Sequence, residues 1–119
     1  MTDIEVLLRE RLAPIARTEL ELPPKMESVL PIIQISSLPS RVRDDSWNGG
    51  PLRDDDAVDI DVFAADLAEC AAVGEQIRES LRSWRHPQVT VIDCPRLTRR
   101  PDRNDRIRRR GAVFGFVTS

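Results

Sequence analysis

The chain has 119 residues, 40% hydrophobic and 32% charged, with a formal net charge of −2. That length holds one domain with a modest core, and the near-neutral balance gives the chain as a whole no polyanion-binding character. Three Phe, two Trp and no Tyr are too few rings for a surface that stacks bases or sugars.

The N-terminus, MTDIEVLLRERLAPIA, carries acidic residues early and no apolar run, so it does not read as a secretory leader. No apolar stretch approaches the length that spans a bilayer. The expectation is a soluble protein kept in a reducing cytosol. Cys70 and Cys94 have no metal-ligand spacing, and nothing marks a secretion that would support a disulfide between them. Residues 3–16 suit a first helix: Thr2 or Asp3 caps it, Ile4, Leu7, Leu8, Leu12 and Ile15 form its apolar stripe, and Pro14 stops or kinks it. Residues 17–27 read as extended and irregular, with Pro23 and Pro24 excluding helix.

Ser28 to Ser36 is a β-branched run and a strand, with Pro31 placing its start at an edge or a bulge. A long loop at 37–53 follows, with turn chemistry at Asn48-Gly49-Gly50-Pro51. Trp47 is its one large apolar residue. It either anchors the loop inward or anchors a partner. Val58, Ile60 and Val62 then alternate with Asp59 and Asp61, the period of a strand with one buried face. The period then changes: Phe63, Leu67, Cys70, Ala71, Gly74, Ile77, Leu81 and Trp84 fall at helical steps and form one stripe on a helix. Arg85-His86-Pro87 ends this helix, with cations suited to its C-terminal dipole. Residues 88–93 are a short strand, 94–105 a basic connector, and 106–118 the last strand, suited to a central position. Gly111 and Gly115 in it mark a bulge or close packing under the helix. The expected fold is a single α+β domain over residues 1–119. Its mostly antiparallel four-stranded sheet carries two helices on one side, in the order helix-strand-strand-helix-strand-strand.

Two charged segments stand out. Asp59 and Asp61 project from one strand face with Cα atoms roughly 7 Å apart. They could share a metal or divide acid and base roles, but no His or Cys accompanies them, so a solvated or interface-facing strand side is the better reading. The single His86 reads as a capping residue, and no phosphate-binding loop, dinucleotide fingerprint, zinc pattern or nucleophile motif occurs. No cofactor and no enzymatic activity are expected. From Arg96 to Arg110 there are eight arginines, offset by Asp102 and Asp105. Such a run could hold nucleic acid, form a solvated hairpin, or meet an acidic surface on a neighbouring subunit. The acidic segment at 54–61 favours the last, because plus and minus surfaces on one chain suit a head-to-tail contact.

The run Val29-Leu30-Pro31-Ile32-Ile33-Gln34-Ile35 follows an N-terminal helix. Val58-Asp59-Ile60-Asp61-Val62-Phe63-Ala64 then opens a helix carrying Ala65, Leu67, Ala68, Ile77 and Leu81, and two strands close the chain. In these features the sequence resembles the tail terminator (tail-completion) proteins of long-tailed bacteriophages. The resemblance implies a non-enzymatic virion protein, assembled in the host cytoplasm. It would form a homo-hexameric ring on the last ring of the tail tube, stop polymerisation of the major tail tube protein, and join the tail to the head connector. DNA would cross the ring without specific binding, and no membrane is involved. Under this reading Trp47 and Asn48 lie in the partner-contacting loop, and Arg106, Arg108 and Arg110 lie between subunits. Asp59 and Asp61 face the channel or an interface. A head-closure protein and, from a different class, a small nucleic-acid-binding module using residues 96–110 are the alternatives.

Overall fold

The computed structural model describes residues 3–38, 41–42 and 54–118, with backbone alone at 41, 42 and 54. Helix α1 spans Ile4–Leu12. The Asp3 carboxylate accepts from the Glu5 N–H at 3.0 Å and satisfies one free donor of the first turn. Ile4, Leu8 and Leu12, four residues apart, are buried, and the helix ends two residues before Pro14.

Strand β1, Arg17–Glu19, follows and pairs parallel with β2, Ile32–Ser37. The stretch read as irregular therefore adds a short edge strand. Its pairing is made by main chain alone, which leaves no periodic signature over three residues. The second strand begins at Ile32, later than the sequence suggested. Pro31 has no N–H to give the ladder, and residues before it form a 3-10 turn at Met26–Ser28. Strand β3, Arg41–Val42, falls within the expected loop, and β4 runs over Asp54–Ala64.

Helix α2, Leu67–Arg82, begins after Asp66, whose carboxylate accepts from the Glu69 N–H at 2.8 Å. Phe63 belongs to the preceding strand, not the helix, and Leu67 is exposed. The stripe that buries the helix is Cys70, Val73, Gly74, Ile77 and Leu81. Three strands close the chain: β5 at Val89–Asp93, β6 at Thr98–Arg99 and β7 at Arg108–Thr118.

These form one seven-stranded sheet ordered β1-β2-β4-β7-β5. On β4, β3 continues the line of β2, and on β7, β6 continues the line of β5. The α+β class is as expected, but the sheet is larger than four strands because β1, β3 and β6 are too short to show a pattern. Among the described strands only β1 with β2 is parallel. The spine is the β4–β7 pair, in register from Asp54↔Thr118 to Ala64↔Arg108. A ladder of that length extends about 35 Å, in a molecule measuring 52 × 24 × 21 Å.

Both helices lie on one face. There Val58, Ile60 and Val62 of β4, Ile33 and Ile35 of β2, and Phe114 and Phe116 of β7 meet the two helix stripes, all fully buried on the sheet side. Trp84 closes the far end, edge-on to Phe116 at 6.3 Å between ring centroids. Arg11 ties the helices together, its Nη2 donating to the Ser80 carbonyl at 2.9 Å. On the opposite face a smaller cluster, Met26, Ile32, Phe63 and Ile107, covers one end of the sheet.

Ile60 is fully buried at the centre of the larger core, so Ile60→Ala is expected to cost about 3–4 kcal/mol, the transfer term plus an unfilled cavity. Leu67→Ala, at an exposed position, should change stability by less than about 0.5 kcal/mol. Urea denaturation monitored by Trp84 fluorescence measures both, and equal losses would contradict this packing.

Candidate functional site

The face of the sheet away from the helices carries the chain's densest charge. Alternation along β4 puts Asp59, Asp61 and Phe63 there, because Val58, Ile60 and Val62 point to the helices. Alternation along β7 puts Arg109, Gly111 and Val113 beside them, paired with Phe63, Asp61 and Asp59 respectively. Arg100 arrives from the far side of β7, where β6 pairs Thr98 with Gly111 and the Arg100 N–H donates to the Arg109 carbonyl.

To reach β4 from that side, the Arg100 side chain must cross β7, and it crosses at Gly111. A Cβ on Gly111 would collide with Asp61 Oδ1 and lie 2.7 Å from Arg100 Nη1. The missing side chain is the trough in which the guanidinium lies. Arg100 Nη1 donates to Asp59 Oδ1 at 2.6 Å and to Asp61 Oδ1 at 2.8 Å. The second oxygen of Asp61 accepts from Arg109 Nη2, also at 2.8 Å. Arg109 lies over Phe63, its Cζ 5.5 Å from the ring centroid. Asp61 is only 4% exposed, so its charge is tolerable because two guanidinium groups compensate it.

Removal from water acts to lower the Arg100 pKa, but the hydrogen bonds and charges of Asp59 and Asp61 outweigh it and raise the value above the ordinary one. Arg100 thus stays a cation throughout the physiological range. A second knot lies beside the first. Asp102 accepts from Arg108 Nη1 at 2.8 Å and from Arg99 Nη2 at 3.2 Å. The Arg108 hydrogen bond, the largest effect, outweighs desolvation and, with the charges of Arg99 and Arg108, holds the Asp102 carboxyl below the usual range.

The residues singled out in the sequence are thus placed differently from one another. Asp59 and Asp61 do share a face, but the arginines that meet them belong to the same chain, and Asp61 is closed off from any channel or neighbour in the protomer. Arg106 is exposed, Arg108 is bound to Asp102, and Arg110 points to the helix side, donating to the Leu97 carbonyl at 3.4 Å. Trp47 and Asn48 lie outside the described residues. Gly111 is not under the helix but on the other face, and the irregularity in the ladder falls in β5 between Val91 and Asp93, opposite Gly115. Arg100 and Arg109 were hidden in the arginine run, since nothing local marks which arginines turn toward the aspartates.

Among the described residues no group of three or more His, Cys, Asp and Glu could hold a metal ion. His86 Nδ1 accepts from the Gln88 N–H at 3.1 Å, a local turn contact. Burial pushes both the Cys70 and the Cys94 thiol up, against Arg110 and Arg78 respectively, so neither forms a thiolate readily. Both are free. No helix among the described residues is long and apolar enough to cross a membrane. What the network can do is mechanical: it pins the connector after β6 across the sheet and fixes the direction of the 101–107 turn. Neither a protein-family model nor a curated protein matches this chain.

Asp61→Asn leaves two guanidinium groups short of a carboxylate and should cost about 2–3 kcal/mol, somewhat less than a fully buried broken pair because both arginines keep some solvent. Gly111→Ala should cost about 1–3 kcal/mol by driving Arg100 out of its trough. Thermal melts measure both, and an unchanged melting temperature in either variant would rule out the network as described. The lowered Asp102 pKa gives a contribution fully present above the ordinary carboxylate value and lost as pH falls through the folded value. Asp102→Asn should therefore shallow the acid limb of the stability profile below about pH 4, which acid titration by circular dichroism reads.

Proposed function

We propose that this chain is a structural protein of a long-tailed bacteriophage virion, a tail terminator that forms a ring on the end of the tail tube, stops its polymerisation and joins tail to head. The observation that carries this reading is the element order. A capped helix leads to the strand Ile32–Ser37, and the long strand Asp54–Ala64 runs almost directly into the helix Leu67–Arg82. Val89–Asp93 and Arg108–Thr118 then close the sheet. That succession is the one on which the resemblance rests, and the short strands β1, β3 and β6 decorate it without breaking it. In this role the hexameric ring blocks addition of the next tube subunit, and its opposite face receives the head connector.

The arginine-rich segment bears on the rival reading as a nucleic-acid module. Arg96 pairs with Glu75, Arg99 and Arg108 with Asp102, and Arg100 and Arg109 with Asp59 and Asp61. Arg103 and Arg106 are exposed and make no side-chain ion pair among the described residues. Arg110 has no carboxylate partner either but is half-buried, bonding the Leu97 carbonyl. A module with two exposed free cations would release about two counterions, giving a salt slope near −2 on duplex DNA, far below that of a dedicated binder. Filter retention of labelled DNA across a salt series should therefore show weak binding. Tight retention that collapses steeply with salt would favour the nucleic-acid reading instead.

Removing the protein from the assembling phage should give tail tubes of uncontrolled length and filled heads without tails. Deleting 47–50 should keep the capped length but leave heads and tails unjoined. Electron micrographs of lysates count these classes, and tubes of normal length joined to heads in the absence of the protein would refute the assignment.

A further inference from the structure

The sheet face opposite the helices is covered over only part of its length. At one end Met26 and Ile107 cover it, and beyond them Arg100 lies across Gly111. Past that point nothing among the described residues covers β7 and β5: Val113 is 43% exposed and Ile92 45%. Both belong to the face that carries Asp59, since Val113 pairs with Asp59 and Ile92 packs beside the open side of Gly115. Asp93 adjoins them. It pairs with Gly115 across the ladder, is exposed, and makes no ion pair among the described residues. Asp55, already engaged within the chain, adds its charge on the same face.

Two exposed cations without an ion pair among the described residues sit at the other end. The 101–107 turn, closed by the Asn104↔Ile107 bridge, presents Arg103 and Arg106 to solvent. This turn precedes Arg108, whereas Asp93 lies opposite Gly115, seven residues further along β7. At strand spacing the two groups are at least about 23 Å apart, more than two screening lengths at physiological salt. They cannot satisfy each other within one protomer.

We propose that the open half of the sheet face, Ile92, Asp93 and Val113, is the docking surface for the 101–107 turn of a second copy of this chain, with Arg103 and Arg106 of the second copy seated against Asp93 of the first. The inference rests on the reading of the chain as an assembling structural protein and names the surface by which it assembles. The connector then does the same thing twice. Through Arg100 it lays a guanidinium on the aspartates of its own sheet, and through Arg103 and Arg106 it lays two more on the next. Because turn and surface are different patches of the protomer, the contact is heterologous and repeats from copy to copy. The exposed valine and isoleucine supply the apolar centre and the charges the register. Asp105, exposed in the same turn, offsets one positive charge and keeps the contact dependent on both arginines.

Sedimentation velocity of the full chain at low and high salt tests this. The wild type is expected to associate, more strongly at low salt. Arg103→Glu with Arg106→Glu should weaken association at least about tenfold, and Asp93→Arg should do likewise. None of these side chains takes part in a protomer ion pair among the described residues, so at dilutions where the wild type is monomeric the melting temperature should stay that of the wild type; Asp93→Asn serves as the milder variant if the arginine disturbs the edge strand. Combining all three reversals should restore association. If the wild type assembles into rings that the reversals leave intact, or the combination restores nothing, the proposed surface is wrong while the ring-forming role stands. If the wild type remains a monomer at every concentration, both are overturned.

Discussion

A carboxylate held out of water inside a folded chain has to be matched, and at Asp61 the matching organises the molecule. Each of its oxygens receives one guanidinium, Oδ1 from Arg100 and Oδ2 from Arg109. Arg109 is close at hand on the neighbouring strand. Arg100 is not, and bringing it in requires β6 to lie along β7 and residue 111 to lack a side chain. The course of the connector, the identity of one glycine and the orientation of the 101–107 turn all follow from neutralising one buried charge.

The two faces of the sheet are consequently stabilised by different physics. On the helix side, apolar area is removed from water by Val58, Ile60, Val62, Phe114 and Phe116 against two amphipathic helices. On the other side, a small apolar cluster around Phe63 and Ile107 merges into the ion network through Arg109, which packs on the Phe63 ring while binding Asp61. The first face needs no ionised group for its packing. The second depends on carboxylates being ionised and on directed hydrogen bonds, and it is the one that is left partly uncovered.

Much of this was legible in the chain itself. The helix stripe at Cys70, Ile77 and Leu81, the alternation at Val58, Ile60 and Val62, and the placement of the last strand inside the sheet follow from periodicity, which reports one buried face at a time. The same property hides what lies on the other face. Asp59 and Asp61 read as outward because their neighbours are inward, and only the three-dimensional course of residues 98–100 brings arginine over them. Phe63 stands at the change of period, where the helical spacing claims it although it belongs to the strand. Short strands such as β1 and β6 carry no pattern at all, since two or three residues cannot express a period.

Gly111 also bears on the order in which the molecule is built. Asp61 and Arg100 are 39 residues apart in the chain, and Asp61 and Arg109 are 48 apart. Both contacts need β7 beside β4: Arg109 reaches Asp61 from the paired strand, and the trough that admits Arg100 exists only in the paired strands. The loop-closure entropy is spent before the network contributes anything. Where closure of β7 on β4 is the barrier, an ion network formed afterwards slows escape from the native state without hastening arrival. It acts as a latch on the finished sheet, a distinction that the two arms of a chevron separate.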